Sequence, residues 1–220
     1  MHSCSEHICR GFNITATRRI DDNSPCFIVA EIGQNHQGDI NIARRLIDLA
    51  ANSEVDCVKF QKSYLPKRFT KEALNQPYTG ENSWGSTYGE HRNYLEFSKE
   101  DFRNLKLYAE NRGLFFAATG MDKVSVDFLN SINVPLFKVG SADATNLPLL
   151  KHIATFQKPI FISTGMSTER EVQKMYKIIS RENNCIALLQ CTSCYPTPIQ
   201  NVNLNVIKDK KFLQVVCNDP

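Results

Sequence analysis

From residue 25 onward, short apolar, partly β-branched runs alternate with stretches whose apolar positions recur every three or four residues. The first run, Phe27-Ile28-Val29-Ala30, leads straight into Glu31, and Ile32-Gly33-Gln34-Asn35-His36-Gln37-Gly38 follows before Asp39 opens a helical pattern. A buried strand that ends in a charge and turns sharply into a helix is the first half of a βαβ unit. The first helix spans about residues 39–52, with Ala43, Leu46, Ile47 and Ala50 at the spacing of a buried face. Residues 55–61 form the second strand, and 62–97 a long polar insertion that holds the only tryptophan, Trp84. A connection of that length is usually functional. Ser98 with Asp101 resembles a capping box and opens a helix ending near Arg112-Gly113.

The alternation continues. Strands are predicted at residues 114–119, 135–140, 159–164 and 185–190, with a weaker one at 212–217. Between them, Asp122 caps a short helix, residues 147–155 form another, and Thr168 with Glu171 boxes a helix reaching about Arg181. Strands alternating with helices mean a parallel sheet. An open doubly wound sheet and a (β/α)8 barrel compete. Glu31, Lys59 with Gln61, Thr119, Lys138, Ser163 with Thr164, and Gln190 with Thr192 each stand at or near the carboxyl end of a different strand. Only strands near the switch point of an open sheet reach its site, whereas in a barrel every carboxyl end does. The expected fold is therefore α/β, a TIM-type (β/α)8 barrel truncated after about strand six or seven. Residues 1–24 are expected to be a flexible tail, and 25–220 an incomplete barrel domain.

Composition changes this picture little. Hydrophobic content of 42%, charged content of 22% and a net charge of +3 suit an ordinary globular chain and an anionic small substrate, not nucleic acid. No stretch approaches the roughly 20 apolar residues of a membrane span. No secretory signal is seen, so Asn13-Ile14-Thr15 reads as a chance sequon. Eight cysteines could form a disulfide framework, but Cys26, Cys57, Cys185 and Cys191 lie in or beside strand-like runs. Buried free thiols in a reducing cytoplasm are the expectation.

The chemistry lies at the strand ends. Lys59 and Lys138, beside hydroxyls and glycines, are what an anionic ligand needs. Gly140-Ser141 allows close backbone approach, and Ser163-Thr164-Gly165-Met166-Ser167 runs into a helix N-terminus that would cradle phosphate. The blander reading has both lysines paired with Glu31 and Asp56. Cys191-Thr192-Ser193-Cys194 is half of a zinc or redox pattern, and chance explains it better. His36 and His91 are conceivable metal ligands, but His36 fits better as a residue orienting a loop.

Taken in order, Ala30 to Gly38, Val58-Lys59-Phe60-Gln61, Lys138-Val139-Gly140-Ser141, Ser163-Thr164-Gly165-Met166 and Gln190-Cys191-Thr192-Ser193-Cys194-Tyr195-Pro196 resemble the sialic acid synthase family. Trp84 to His91 resembles its animal members, the N-acylneuraminate-9-phosphate synthases. The resemblance covers about residues 26–207. It implies a barrel that condenses phosphoenolpyruvate with N-acetylmannosamine, free or 6-phosphorylated, and releases phosphate.

It also implies roles. Glu31 contacts the sugar and handles protons at its C1 oxygen, and Asp143 stands where many members carry another acid. Lys59, Lys138, Ser141, Ser163 and Ser193 hold phosphoenolpyruvate, Gln61 and Thr119 line that pocket, and Tyr195 touches the sugar. The family binds a divalent metal, manganese or magnesium, through two histidines, whose places fall beyond this chain. Its C-terminal antifreeze-like domain, which serves a partner subunit in a homodimer, is also absent. The chain is thus expected to be inactive and poorly stable alone. The alternative is a catalytically silent barrel fragment that binds phosphoenolpyruvate-like anions or a partner subunit.

Overall fold

The computed structural model describes residues 11–209 and 215–217. It divides into two compact units, one of Phe27–Phe137 and one of the described residues of Met1–Cys26 and Lys138–Pro220. In the latter, β1 (Gly11–Asn13) pairs antiparallel with β2 (Arg19–Asp21). Phe12 and Ile14 are buried, and Phe12 meets the Phe161 ring edge-on, centroids 6.1 Å apart. The expectation of a flexible tail over residues 1–24 is corrected here for 11–24. One buried aromatic outweighs the polar composition around it. Residues 1–10 lie outside the described residues.

The unit Phe27–Phe137 carries three parallel strands: β3 (Val29–Gly33), β4 (Cys57–Lys62) and, later in the chain, Phe115–Gly120. Between β3 and β4, α1 (Ile40–Asn52) starts where Asp39 accepts from the Asn41 and Ile42 amides, and buries Ala43, Ile47 and Ala50. The insertion is not plain loop. It holds α2 (Leu65–Arg68), α3 (Lys71–Leu74) and α4 (Tyr88–Leu95), the last opened by a Thr87–Glu90 capping box. Trp84 stacks on Tyr94, rings 5.2 Å apart and 7° from parallel. The Ser98–Asp101 capping box opens α5 (Lys99–Glu110) as the sequence implies. Then comes β5, the Phe115–Gly120 strand, and α6 (Lys123–Ser131), capped by Asp122. Phe60, Phe102 and Phe116 fill the space between β4, β5 and α5, because strands covered on both faces must be apolar on both.

The chain passes into the second unit within β6 (Phe137–Val139). There α7 (Leu147–Ala154), β7 (Ile160–Ser163), α8 (Glu169–Ile179) and β8 (Ile186–Gln190) follow, with the Thr168–Glu171 capping box in place. A short α9 (Val206–Asp209) leads on to β9 (Val215–Cys217). β7, β8 and β9 are parallel neighbours. Residues 212–214 of the expected last strand lie outside the described residues.

The cysteine expectation needs correction. Cys57 is buried, and burial pushes its thiol well above the ordinary range, but Cys185 and Cys191 are half-buried and Cys26 is exposed. Among the described residues, these four and Cys194 form no disulfide.

Candidate functional site

Each unit gathers sequence-predicted residues on its strands: Ser163 ends β7 and Thr119 is last but one in β5, whereas Glu31, Lys59 and Lys138 stand mid-strand. In the first, the parallel register sets Glu31 opposite Lys59 and Gln61 opposite Thr119. Period-two alternation then sends Lys59 and Gln61 to one face of β4 and Phe60 and Lys62 to the other. Lys59 Nζ donates to Thr119 Oγ1 at 3.2 Å and pairs with Glu31 Oε2 at 2.5 Å. The two partners differ in setting: the lysine side chain is 7% exposed and the glutamate 49%. The blander reading of Glu31 is thus correct as far as the ion pair goes. The carboxylate nevertheless stays open to a ligand, because the buried lysine holds it from below. Gly33 lies at φ +55°, and a Cβ there would stand 2.9 Å from Glu31 Oε1 and 3.4 Å from Gln61 Nε2. The missing side chain is what lets acid and amide approach each other.

The second unit holds another buried lysine, Lys138, and two serine hydroxyls close to Gly165. Lys138 Nζ donates to Ser163 Oγ at 2.5 Å and to the Val139 carbonyl at 3.0 Å. Beyond β7, a Cβ on Gly165 would collide with Ser193 Oγ and stand 2.9 Å from Ser141 Oγ. Two serines from separate loops therefore close over one glycine. Thr164 Oγ1 and Thr164 N both bond the Leu189 carbonyl, tying that turn to β8. A buried ammonium beside a hydroxyl suits a phosphate or carboxylate oxygen. Asp143, also buried, closes the 3-10 turn Ser141–Asp143 and accepts from Asn146 Nδ2 at 3.1 Å. Tyr195 stands out on the loop after β8, 80% exposed.

The described residues do not fit a divalent metal. Among them no three His, Cys, Asp or Glu side chains are grouped to hold one. His36 Nδ1 accepts from the Gly38 amide, its ring stacks on Phe97 at 4.1 Å, and burial lowers its pKa to about 4. His91 Nδ1 accepts from the Trp84 amide. Both histidines are thus committed to loop structure, as the sequence suggested for His36.

Sequence reasoning missed one polar group. Lys62 Nζ donates to Glu96 Oε2 at 3.0 Å and to the Phe97 carbonyl at 2.6 Å, 5.2 Å above the Phe102 ring. The signal was present: alternation puts Lys62 on the helix-facing side of β4, where a charge requires a partner.

Comparison with known proteins places these clusters in context. The chain is 48% identical over 196 residues to the N-acetylneuraminate-9-phosphate synthase of Homo sapiens, covering 89% of this chain and 55% of that one. It is 43% identical over 182 residues to the Drosophila melanogaster protein of the same name, covering 82% and 49%. It spans about half the length of these relatives. The sialic acid synthetase structure from Leptospira borgpetersenii superposes with a TM-score of 0.82 at 28% identity, covering 95% of this chain and 69% of that one. That likeness bears out the α/β fold class of truncated TIM-barrel type. The model of the NeuB family matches residues 46–214, and the chain belongs to that family.

Proposed function

We propose that this protein serves sialic acid biosynthesis by condensing phosphoenolpyruvate with N-acetylmannosamine or its 6-phosphate, giving N-acetylneuraminate or its 9-phosphate and inorganic phosphate. The observation that carries this reading is the pairing of each buried strand lysine with a hydroxyl, Lys59 with Thr119 and Lys138 with Ser163. Neither lysine is there to neutralise an internal acid alone, and hydroxyls beside a fixed cation give an anion directional contacts. The N-acetylneuraminate-9-phosphate synthases of Homo sapiens and Drosophila melanogaster agree with it, as does the citrate complex of the Leptospira neighbour, citrate being a carboxylate-rich anion.

In this reading Lys138, Ser141, Ser163 and Ser193 take phosphate or carboxylate oxygens of phosphoenolpyruvate, and Lys59, Gln61 and Thr119 make further contacts to it. C3 of phosphoenolpyruvate attacks the sugar aldehyde. Glu31, half-exposed yet anchored, relays to the C1 oxygen, as it becomes an alkoxide, a proton that the carboxylate takes up from solvent. Water adds at C2, and phosphate leaves with C–O cleavage. Asp143 is the second proton handler, and Tyr195 contacts the sugar. The whole protein works as a homodimer in the cytoplasm in this reading.

The test is a sialic acid assay on the 220-residue chain with phosphoenolpyruvate, both mannosamine substrates and manganese. Turnover abolished by Glu31→Gln and by Lys138→Met supports the reading. A wild-type chain that neither turns over nor is stabilised against heat by phosphoenolpyruvate refutes it. Stabilisation without turnover marks the anion-binding fragment instead.

A further inference from the structure

The loop that follows Glu31 is gripped at every second residue by one short stretch of the insertion. Arg92 Nη1 donates to Gln34 Oε1 at 2.9 Å. The Phe97 ring stacks on His36, and Gly38, at φ +77°, sits so close to Tyr94 that a Cβ would lie 2.6 Å from its carbonyl oxygen and 3.0 Å from its ring. Gln34, His36 and Gly38 are thus each met by a residue between Arg92 and Phe97. That stretch is itself pinned to β4. Glu96 Oε2 accepts from Lys62 Nζ and from the Ser63 amide, and Arg92 Nη2 lies 3.9 Å from Glu96 Oε1.

This arrangement is an expensive way to gain stability. Burial raises the pKa of Glu96 despite Lys62 and Arg92 beside it. Among the described residues Gln34 Nε2, Ser63 Oγ, Arg92 Nε and Glu96 Oε1 are buried without a hydrogen-bond partner. A buried ion pair in an incompletely satisfied network contributes little net stability. What it does supply is direction, since it fixes where the chain goes immediately after Glu31.

We propose that Arg92, held by Glu96 and Lys62, is a positioning residue that clamps the Gly33–Gly38 loop through Gln34 and thereby sets the Glu31 carboxylate for proton transfer. The proposal rests on the reading of the reaction given above. Three loop amides report the clamp directly, because Asn35 N bonds the Ile32 carbonyl, Gln37 N that of Gln34, and Asp39 N that of His36.

The test compares Arg92→Met, Arg92→Lys, Gln34→Leu and the Met/Leu double variant with the wild-type chain. Amide hydrogen exchange should quicken about tenfold or more in residues 33–39 for Arg92→Met and Gln34→Leu, with the β7 and β8 amides unchanged. A shift of about 1 Å at a reacting group costs on the order of 10²-fold in rate, so kcat should fall by about that factor while the KM for phosphoenolpyruvate holds. Arg92→Lys should restore part of the loss, and the double variant should be no worse than either single one. Gln34→Leu leaves the Lys62–Glu96 pair intact, so it decides the matter if Arg92→Met does not fold. Unchanged exchange, additive losses, or loosened exchange with wild-type kcat would each overturn the proposal. A wild type that neither turns over nor is stabilised by phosphoenolpyruvate refutes the reaction, one stabilised without turnover marks the anion-binding fragment, and in both cases the exchange data alone decide whether the clamp exists.

Discussion

At the scale of single residues, the site depends on buried cations that each meet a hydroxyl, Lys59 pairing with the Glu31 carboxylate as well. Lys59→Met removes both the Thr119 contact and the ion pair to Glu31, and Lys138→Met removes the contact to Ser163. Each should weaken phosphoenolpyruvate binding by about tenfold or more, equivalent to about 1.4 kcal/mol, read as a smaller ligand-induced rise in Tm. His36 gives a pH prediction whose sign follows from its setting. Its Nδ1 accepts from Gly38 and burial lowers its pKa from 6.5 to about 4, so the folded state keeps it neutral while the unfolded chain takes up a proton below about 6.5. Stability should then be intact above that pH and lost progressively as pH falls from 6.5 towards 4. Denaturant melts across that window should show the slope, and His36→Phe should flatten it.

At the scale of elements, turns and caps decide what the strands can present. Gly165→Ala would drive a methyl into Ser193 Oγ and crowd Ser141 Oγ. The expected result is a loss of about 1–3 kcal/mol in stability, as overpacking costs, together with weaker phosphoenolpyruvate binding, both measurable by thermal melts with and without ligand. The β1–β2 hairpin offers a complementary case. Phe12 is 3% exposed and meets Phe161, so Phe12→Ala should cost about 3–5 kcal/mol, the range for buried phenylalanine. A destabilisation below about 1 kcal/mol would show that the hairpin is no more than a surface appendage. The capping boxes at Thr87, Ser98 and Thr168 were partly readable in advance, since a side chain three residues on completes each one. The two at Ser98 and Thr168 were identified from the sequence. The one at Thr87 was masked by the polar insertion around it.

At the scale of the whole chain, much was legible because hydrophobic periodicity and β-strand alternation are local properties. The parallel βα order, the helix bounded by Asp39, and the placement of Glu31, Lys59, Thr119, Lys138 and Ser163 on successive strands all follow from residues within one element of each other. The family likeness was legible too, since five short motifs in order are a one-dimensional signal. What the amino-acid pattern left open are contacts between residues far apart in sequence. Lys62 meeting Glu96 over 34 positions, Arg92 meeting Gln34 over 58, and Ser193 closing on Gly165 against Ser141 depend on which loops the fold brings together. The hairpin was missed for the same reason, because Phe12 gains its partner only from Phe161. Local pattern sets which residues face which side of each strand. Only long-range packing, where burying a charge or an aromatic ring demands a distant partner, decides which of those faces meet.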